Sequence, residues 1–205
     1  MTGLFITLEG GDGSGKSTQA EMLGEWFSKK GREVIFTREP GGTELGLELR
    51  EIVLHSRGHI SAKSEALIYA ADRAHHIETV VRPALERNAV VIQDRYIDSS
   101  VAYQGAGRVL DGKEIRDLSM WATDNLVPNL TVLLDLDPAV GKERLDSANK
   151  RFDRLEAEAL DFHARVRGAY LEMAKAEPGR FVVVDAALPR EEIRDAIIER
   201  IEALG

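Results

Sequence analysis

A glycine-rich segment follows the first apolar run of the chain and has the residue types of a phosphate-binding loop. Residues 10–17 read GGDGSGKS, which matches the pattern G-x-x-x-x-G-K-[ST]. Glycines allow backbone N–H groups to turn toward phosphate oxygens, and the helix N-terminus that follows adds partial positive charge. In this pattern Lys16 reaches the β- and γ-phosphates, and the hydroxyl of Ser17 ligates Mg²⁺. The predicted nucleotide-binding segment comprises Gly10, Gly11, Asp12, Gly13, Ser14, Gly15, Lys16, Ser17 and Thr18.

A second cluster of charge ends another apolar run, where the sequence reads Asp94-Arg95-Tyr96. Asp94 is placed to hold Mg²⁺ through water, and Arg95 to bind a second phosphate. Taken alone, this pair could equally form a surface salt bridge at the end of a strand. A shaped loop at 37–43 (TREPGGT) carries another arginine, which favours a second anion site.

Two further segments carry groups that suit a base and a sugar. Tyr69 and Arg73 are four residues apart and therefore share one face of a predicted helix. Residues 99–105 (SSVAYQG) supply hydroxyls, an amide and another aromatic ring within a short stretch. Core packing with surface charge would explain the Tyr69–Arg73 pair when it is considered alone.

The elements that must position these motifs alternate along the chain. Short β-rich apolar runs predict strands at residues 4–9, 33–37, 90–94, 131–135 and 181–185. Most are unbroken rather than alternating, as in a parallel sheet that is covered on both faces. Helix-period stretches lie at 16–30, 45–55, 64–88, 112–126, 138–147, 156–177 and 189–204. This pattern predicts a three-layer α/β fold in one domain over residues 1–205, with ligands at the carboxyl ends of the strands.

Composition and charge exclude several classes of protein. The 205 residues include 27 Lys and Arg against 35 Asp and Glu, a net charge of 27 − 35 = −8, and no cysteine. The absence of cysteine excludes disulfides and thiol catalysis, and the acidic balance disfavours a nucleic-acid partner. No apolar run approaches the roughly 18 residues of a membrane helix, and the N-terminus lacks the pattern of a signal peptide. We therefore expect a cytoplasmic protein with no membrane partner.

A phosphate loop alone leaves the activity open, because switch GTPases, ATPases and small-molecule kinases all use it. The guanine-reading tetrapeptide N-K-x-D is absent from the sequence, which disfavours a switch GTPase. A kinase for another nucleotide or nucleoside and a non-catalytic nucleotide-dependent switch stay open at this point.

Five ordered motifs together resemble bacterial thymidylate kinases: EGGDGSGKST, FTREPGGT, YAADR, DRY followed by SSVAYQG, and FDRLE. They span about residues 4–186, nearly the whole chain. The resemblance implies the P-loop nucleoside monophosphate kinase fold, with a five-stranded parallel sheet of order 2-3-1-4-5. It also implies transfer of the γ-phosphoryl group of ATP to dTMP with Mg²⁺, and a homodimer packed through helices.

The resemblance assigns an acceptor site to this sequence. Asp12 would meet the 3′-hydroxyl of the acceptor sugar, and Arg95 and Arg73 would hold the dTMP phosphate and the thymine face. Tyr69 would stack on thymine, and Tyr103 would crowd the 2′ position and favour deoxyribose. The implied acceptor set comprises Asp12, Arg38, Pro40, Tyr69, Arg73, Arg95, Ser100, Tyr103 and Gln104, of which Ser100 or Gln104 would bind the edge of the base.

The segment at about 142–156 is rich in Lys and Arg on an acidic chain. A solvated helix end would look similar, but phosphoryl transfer requires cations over the phosphates. Some members of the family place an arginine inside the phosphate loop, where this chain has Gly13. The resemblance to the lid-arginine type therefore implies that Arg151 and Arg154 close over the phosphates and act with Lys16 and Arg95 in catalysis.

Two expectations remain at this stage. The nearest competing activity is a kinase of the same fold that acts on dUMP, dCMP or a deoxynucleoside, and the sequence separates thymine from uracil poorly because one methyl group is worth only about 1 to 3 kcal/mol of discrimination. The histidines, including His75 and His76, are expected to be ordinary surface or interface residues.

Overall fold

The computed structural model describes residues 3–56, 58–147 and 153–204 of the chain. Within these residues, five strands form one parallel sheet. They are β1 (Leu4–Glu9), β2 (Val34–Arg38), β3 (Val90–Asp94), β4 (Leu130–Asp135) and β5 (Phe181–Asp185). Each strand lies within one residue of its predicted bounds, because unbroken β-branched runs mark strands that are buried on both faces.

Helices connect the strands and cover both faces of the sheet. They are α1 (Lys16–Lys29), α2 (Glu44–His55), α3 (Ala62–His76), α4 (Arg82–Glu86), α5 (Ile97–Ser100), α6 (Gly112–Ala122), α7 (Pro138–Ser147), α8 (Leu160–Ala176) and α9 (Arg190–Glu202). A π-helical segment over Ile77–Val81 joins α3 to α4, and another over Val101–Gly107 continues α5. The helix predicted at 64–88 is thus one continuous helical rod with a widened turn.

The strand order is β2-β3-β1-β4-β5, which confirms the predicted order and the three-layer P-loop fold. Leu8 of β1 is aligned with Asp94 of β3, and Arg38 at the end of β2 is aligned with the same residue. The carboxyl ends of the three neighbouring strands therefore lie side by side. This register brings the phosphate loop, the loop at 37–43 and the Asp94-Arg95 pair to one edge of the sheet.

The apolar core lies on both faces of the sheet. On one face, β1, β3 and β4 pack against α1 and α9, with Ile6, Leu23 and Ile197 fully buried. Other buried clusters form beneath α3, α5 and α8, where Tyr103 and Tyr170 pack against apolar side chains. Burial at about 25 cal/mol per Å² of apolar surface holds the loops above the sheet on a rigid base.

The sequence analysis missed one helix and placed the start of another helix too early. Residues 97–107 are helical, although their serines and glycines gave no apolar periodicity. Helix α8 begins at Leu160 rather than at the predicted 156, since residues 154–157 form turns. The Asp137 side chain does cap α7 as its sequence position before Pro138 suggests, and accepts a bond from the Ala139 N–H at 2.9 Å.

In the described ranges, none of the helices combines the length and the apolar character that spanning a bilayer would require.

Candidate active site

The phosphate loop leaves β1 and leads directly into α1, whose first residue is Lys16. Gly10, Gly13 and Gly15 have φ values of 131°, 77° and 92°, a region that side chains disfavour and glycine tolerates. The Nζ of Lys16 donates to the carbonyl oxygens of Gly10 (3.2 Å) and Gly11 (3.0 Å). The ammonium group therefore lies folded against the loop, at the place where a bound phosphate would meet it.

Helix α7 packs on the phosphate loop at a glycine. A Cβ built on Gly141 would lie 2.6 Å from the carbonyl oxygen of Asp12, and one on Gly13 would lie 2.7 Å from the carbonyl oxygen of Gly141. Both distances are too short for a side chain. The pair Gly13–Gly141 thus allows two backbones to touch, and the loop is supported from the side by α7.

An ion pair joins the phosphate loop to the end of β3. The Nη2 of Arg95 lies 2.6 Å from an Asp12 carboxylate oxygen, and its guanidinium group stands over the Tyr103 ring at 4.9 Å. Burial alone would raise the pKa of Asp12, but the charges of Arg95 and Lys16 outweigh it and lower that pKa to about 2. Asp12 is therefore ionised at neutral pH beside two cations.

A buried carboxylate holds the residues that surround Arg95. Glu9, the last residue of β1, accepts bonds from the Tyr96 N–H (2.7 Å), the Ser99 hydroxyl (2.6 Å) and the Tyr170 hydroxyl (2.8 Å). Both hydroxyls also lie near Arg95, at 3.3 and 3.5 Å from its Nη1. Burial and the nearby charge of Asp98 raise the pKa of Glu9 to about 7.

All of the residues in the implied acceptor set line one cavity of about 660 Å³. The same cavity reaches the phosphate loop at Lys16, Ser17 and Thr18, and also includes Asp94. Gly10, Gly11 and Ser14 of the predicted nucleotide-binding segment do not line it, and Gly11 instead borders a smaller cavity of about 220 Å³ between the loop, α7 and α8. The structure thus brings the two predicted phosphate sites together in a single space.

The guanidinium groups of Arg38 and Arg50 are neighbours in the lining of the larger cavity. Arg50 on α2 donates to the carbonyl oxygen of Pro40 at 3.0 Å, next to a cis peptide bond between Glu39 and Pro40. Burial and the neighbouring charge of Arg38 lower the pKa of Arg50. Like charges that destabilise each other in this way favour the binding of an anion between them.

One end of the larger cavity is lined by Tyr69, Arg73 and Gln104, where the resemblance places the base, and is called the base end below. It lies against a buried polar face of α3. Arg73 donates to Glu39 (2.7 Å), Ser119, Ser100 and the Tyr96 carbonyl oxygen. His76 lies between the other Glu39 oxygen (3.0 Å) and the Thr37 hydroxyl (2.6 Å). The expectation that His76 is a surface or interface residue is wrong, because the side chain is fully buried in an ionic network.

The donor set for a metal ion consists of oxygen atoms. The Oδ1 of Asp94 is buried, and no described residue forms a hydrogen bond with it. Ser17 is exposed at the start of α1, on the same cavity. Mg²⁺ prefers oxygen ligands and usually keeps several bound waters. A carboxylate and a hydroxyl on one cavity therefore fit the predicted metal site.

Of the two predicted lid arginines, only Arg154 belongs to the described residues, and it does not lie over the phosphate loop. Arg151 lies outside the described residues. Arg154 donates to the Val53 carbonyl oxygen at 2.9 Å and pairs with the buried carboxylate of Glu65, because these are the acceptors next to it. Instead, Arg144 of α7 contacts the loop, with its guanidinium group between the carbonyl oxygens of Gly13 (3.2 Å) and Ala186 (3.1 Å).

Sequence reasoning missed several residues that complete the site. Arg50 belongs to a helix that follows the 37–43 loop, and no short motif marked it. Glu65 was also missed. It shares the helical spacing of the predicted Tyr69 and Arg73 and of His76, and all four side chains are buried. A search for polar residues at that spacing would have indicated a buried polar face.

The chain is similar to proteins of one family over nearly its whole length. A family model described as thymidylate kinase matches residues 8–197. The thymidylate kinase of Clavibacter michiganensis subsp. michiganensis is 69% identical over 204 residues, which covers 100% of this chain and 97% of that protein. That of Leifsonia xyli subsp. xyli is 66% identical over 200 residues, with 98% and 95% covered. The crystal structure of thymidylate kinase from Ehrlichia chaffeensis superposes with a TM-score of 0.80 at 32% identity, covering 98% of this chain and 99% of that one.

The contact between α7 and the phosphate loop generates a first prediction. Gly141→Ala would place a methyl group against the Asp12 carbonyl oxygen, so the loop must shift and its backbone N–H groups lose alignment with the phosphates. We expect the Kd for ATP, measured by calorimetry, to rise about 10-fold, since each hydrogen bond contributes about 1 kcal/mol. Gly168→Ala is the matched control, because a Cβ there meets nothing within 4 Å. An unchanged Kd in Gly141→Ala would contradict this account.

The buried carboxylate of Asp72 generates a second prediction, on stability. Burial, followed by the charge of Glu39, raises its pKa to about 6 from 3.8, while its Oδ1 accepts one bond from the Gly41 N–H. The folded state therefore holds this proton more tightly, and stability falls as the pH rises from about 4 to 6. We expect Asp72→Asn to raise the free energy of unfolding at pH 8 by on the order of 2 kcal/mol and to leave it nearly unchanged at pH 4.

Urea denaturation at both pH values measures this difference. Asp117→Asn, at an exposed position of α6, serves as the control and should change the free energy of unfolding by less than about 1 kcal/mol at either pH, because its ion pair with Lys113 is exposed to solvent. A gain for Asp72→Asn that is equally large at pH 4 would show that the ionised carboxylate is not its cause.

Proposed function

The chain belongs to the thymidylate kinase family, and on this premise we propose that it transfers the γ-phosphoryl group of ATP to dTMP, giving dTDP and ADP. The observation that carries the proposal is the single cavity of about 660 Å³ that joins the phosphate loop to all nine residues of the implied acceptor set. Donor and acceptor phosphates would meet inside it, beside Asp12 and Arg95. This juxtaposition is what a direct transfer between two nucleotides requires.

The two ends of the cavity bind different parts of the substrates in this proposal. The loop N–H groups and Lys16 bind the ATP phosphates, and Arg95, with Arg38, binds the dTMP phosphate. Tyr69 would stack on the base, and Tyr103, which is buried beside Arg95, would crowd the 2′ position of the sugar and so favour deoxyribose. Ionised Asp12 is an acceptor for the 3′-hydroxyl of the dTMP sugar.

Transfer by this site needs positioning and positive charge rather than a covalent intermediate. Negative charge spreads over the equatorial oxygens of the γ-phosphoryl group as it moves, and Lys16 and Arg95 stand where they would neutralise it. Glu9, Ser99 and Tyr170 hold Arg95 in place from behind. A fixed Arg95 would hold the acceptor phosphate in one place, which in-line attack on the γ-phosphorus requires.

We propose that Ser17 and, through water, Asp94 hold Mg²⁺ with the ATP phosphates. When bound there, the ion neutralises phosphate charge and favours one orientation of the phosphate chain. The orphaned Oδ1 of Asp94 supports this assignment.

We also propose a single kinase domain over residues 1–205 that works in the cytoplasm, with a lid at about 142–156. In the lid, Arg154 would leave Glu65 and the Val53 carbonyl oxygen and close over the transferred group, together with Arg151. Closure by an arginine would exclude water and add positive charge in the transition state. The two ends of this segment, α7 and the turn at 153–156, already border the nucleotide cavities.

A homodimer is proposed from apolar side chains that the described surface exposes on neighbouring helices. Leu67 on α3 is 57% exposed and Trp121 on α6 is 78% exposed, and α3 packs beside α6. Leu47 and Ile52 extend this apolar surface along α2, which also packs on α3. A second copy of the chain, related by a two-fold axis, would bury the same surface on both subunits.

An assay of ADP release tests the activity directly. With ATP and Mg²⁺, we expect rapid ADP release only when dTMP is added, slower release with dUMP, and little with dCMP, thymidine or no acceptor. Steady ADP release without any acceptor would indicate an ATPase or switch. Silence with dTMP alongside turnover of another acceptor would overturn the substrate assignment.

A charged substitution in the exposed surface tests the dimer. Leu67→Glu should convert the protein from a dimer to a monomer in sedimentation velocity, because a buried carboxylate without a partner costs several kcal/mol. Val183→Glu, at a similarly exposed position of β5, is the control and should remain dimeric. A wild-type protein that sediments as a monomer at micromolar concentration would contradict the proposal.

A further inference from the structure

A second buried carboxylate on α3 stands behind the base end of the cavity, outside the residues assigned so far to binding or catalysis. Glu65 is fully buried and accepts bonds from three side chains. One oxygen receives the Gln104 Nε2 at 2.9 Å and the Arg108 Nε at 3.2 Å, and the other receives Arg154. Glu65 does not line the cavity, whereas Gln104 does.

Two arginines favour the ionised form of this carboxylate, and Arg108 would remain paired with it when Arg154 moves to close the proposed lid. Arg108 and Arg154 both form ion pairs with Glu65, and Arg108 also pairs with Glu158 on its other side. Burial would raise the pKa of Glu65, but the hydrogen bonds from Gln104 and the two arginines outweigh it and lower that pKa. An ionised carboxylate accepts hydrogen bonds and donates none.

This constraint decides which way the Gln104 amide is turned. A glutamine amide presents an NH₂ group on one side and a carbonyl oxygen on the other, and only hydrogen-bond partners distinguish the two orientations. The NH₂ group must face Glu65, since the amide oxygen would be repelled there. The group left to face the base is therefore the carbonyl oxygen, an acceptor.

Arg73 supplies the opposite polarity in the same end of the cavity. Its guanidinium group has five N–H groups, and four bonds tie it to Glu39, Ser119, Ser100 and the Tyr96 carbonyl oxygen. One N–H of Nη1 is left without a bond to any described residue. An acceptor at Gln104 and a donor at Arg73 match a base edge that carries an N–H next to a carbonyl.

We propose that Glu65 is a positioning residue that sets base specificity, because it orients the Gln104 amide as an acceptor and so selects thymine and uracil against cytosine. Thymine and uracil carry N3–H beside O4, whereas cytosine carries an unprotonated N3 beside an amino group. Cytosine would therefore place an acceptor opposite the Gln104 oxygen and a donor opposite Arg73. The inference rests on the proposed function, since it assumes that a pyrimidine monophosphate occupies the cavity.

The substitution Glu65→Gln tests this role. A neutral amide at position 65 can donate or accept, so the amide of Gln104 becomes free to rotate. We expect the ratio of the Kd for dCMP to the Kd for dTMP to fall at least about 10-fold, the worth of one hydrogen bond to a polar partner. The ratio of the Kd for dUMP to that for dTMP should stay within about twofold, because uracil and thymine share the same edge. Displacement calorimetry on the full chain measures all three constants.

Controls separate positioning from loss of structure. Glu158→Gln removes the other carboxylate that pairs with Arg108 and does not touch Gln104, so both ratios should stay as in the wild type. Gln104→Leu should by itself lower the ratio of the Kd for dCMP to the Kd for dTMP about as far as Glu65→Gln does, with the part due to Arg73 retained, and adding Glu65→Gln to it should change the ratio no further. If Glu65→Gln does not fold, as judged by thermal unfolding and ATP binding, Gln104→Leu still decides whether that amide discriminates.

Two results would overturn the inference. One is an unchanged ratio of dCMP to dTMP in folded Glu65→Gln, and the other is an equal loss of affinity for dTMP, dUMP and dCMP, which a merely structural role would produce. A Gln104→Leu variant whose ratio of dCMP to dTMP Kd equals that of the wild type would also overturn it. Failure of the proposed function is distinguishable, because it would show as a wild-type protein that does not turn over dTMP at all.

Discussion

Lys16 and Arg95 lie close together at the edge of the sheet, and the ion pair between Asp12 and Arg95 stabilises this arrangement of two positive charges. Lys16 and Arg95 would repel each other in the absence of a ligand, and the Asp12 carboxylate between them offsets that repulsion. The pair also ties the phosphate loop to the end of β3 across neighbouring strands of the sheet. The donor and acceptor ends of the cavity are therefore built around one ion pair.

Behind that ion pair, buried carboxylates orient the rest of the site. Glu9 holds the hydroxyls beside Arg95, Glu39 holds Arg73 and His76, and Glu65 holds Gln104 and two arginines. Each accepts several hydrogen bonds, because an unpaired buried charge would cost several kcal/mol. A net charge of −8 is thus compatible with a cationic cavity, since the acidic residues include those that position its arginines and the Gln104 amide.

The phosphate loop is supported by backbone contact as well as by charge. Gly13 and Gly141 let α7 touch the loop, and Arg144 spans from the loop to the segment after β5. The position of α7 therefore affects the position of the phosphate loop. Arg154 is bound to the Val53 carbonyl oxygen and to Glu65, which lies behind the cavity rather than in its lining.

Much of the molecule followed from sequence alone. Unbroken apolar runs located all five strands, the GGDGSGKS segment located the phosphate loop, and ordered motifs named nine residues that line one cavity. These features are local, because a strand or a loop is encoded by residues that are adjacent in the chain.

Tertiary structure alone decided the features that depend on contacts between distant residues. The helix at 97–107 has no apolar period and is stabilised by packing against α6 and α8. His76 was taken for a surface residue because the acid that it contacts, Glu39, lies after β2 and far from it in the sequence. The orientation of Gln104 depends on Glu65, 39 positions earlier, and the place of Arg154 depends on the same carboxylate. Sequence determined which groups are present and on which elements they lie, and only packing determined which charge each of them meets.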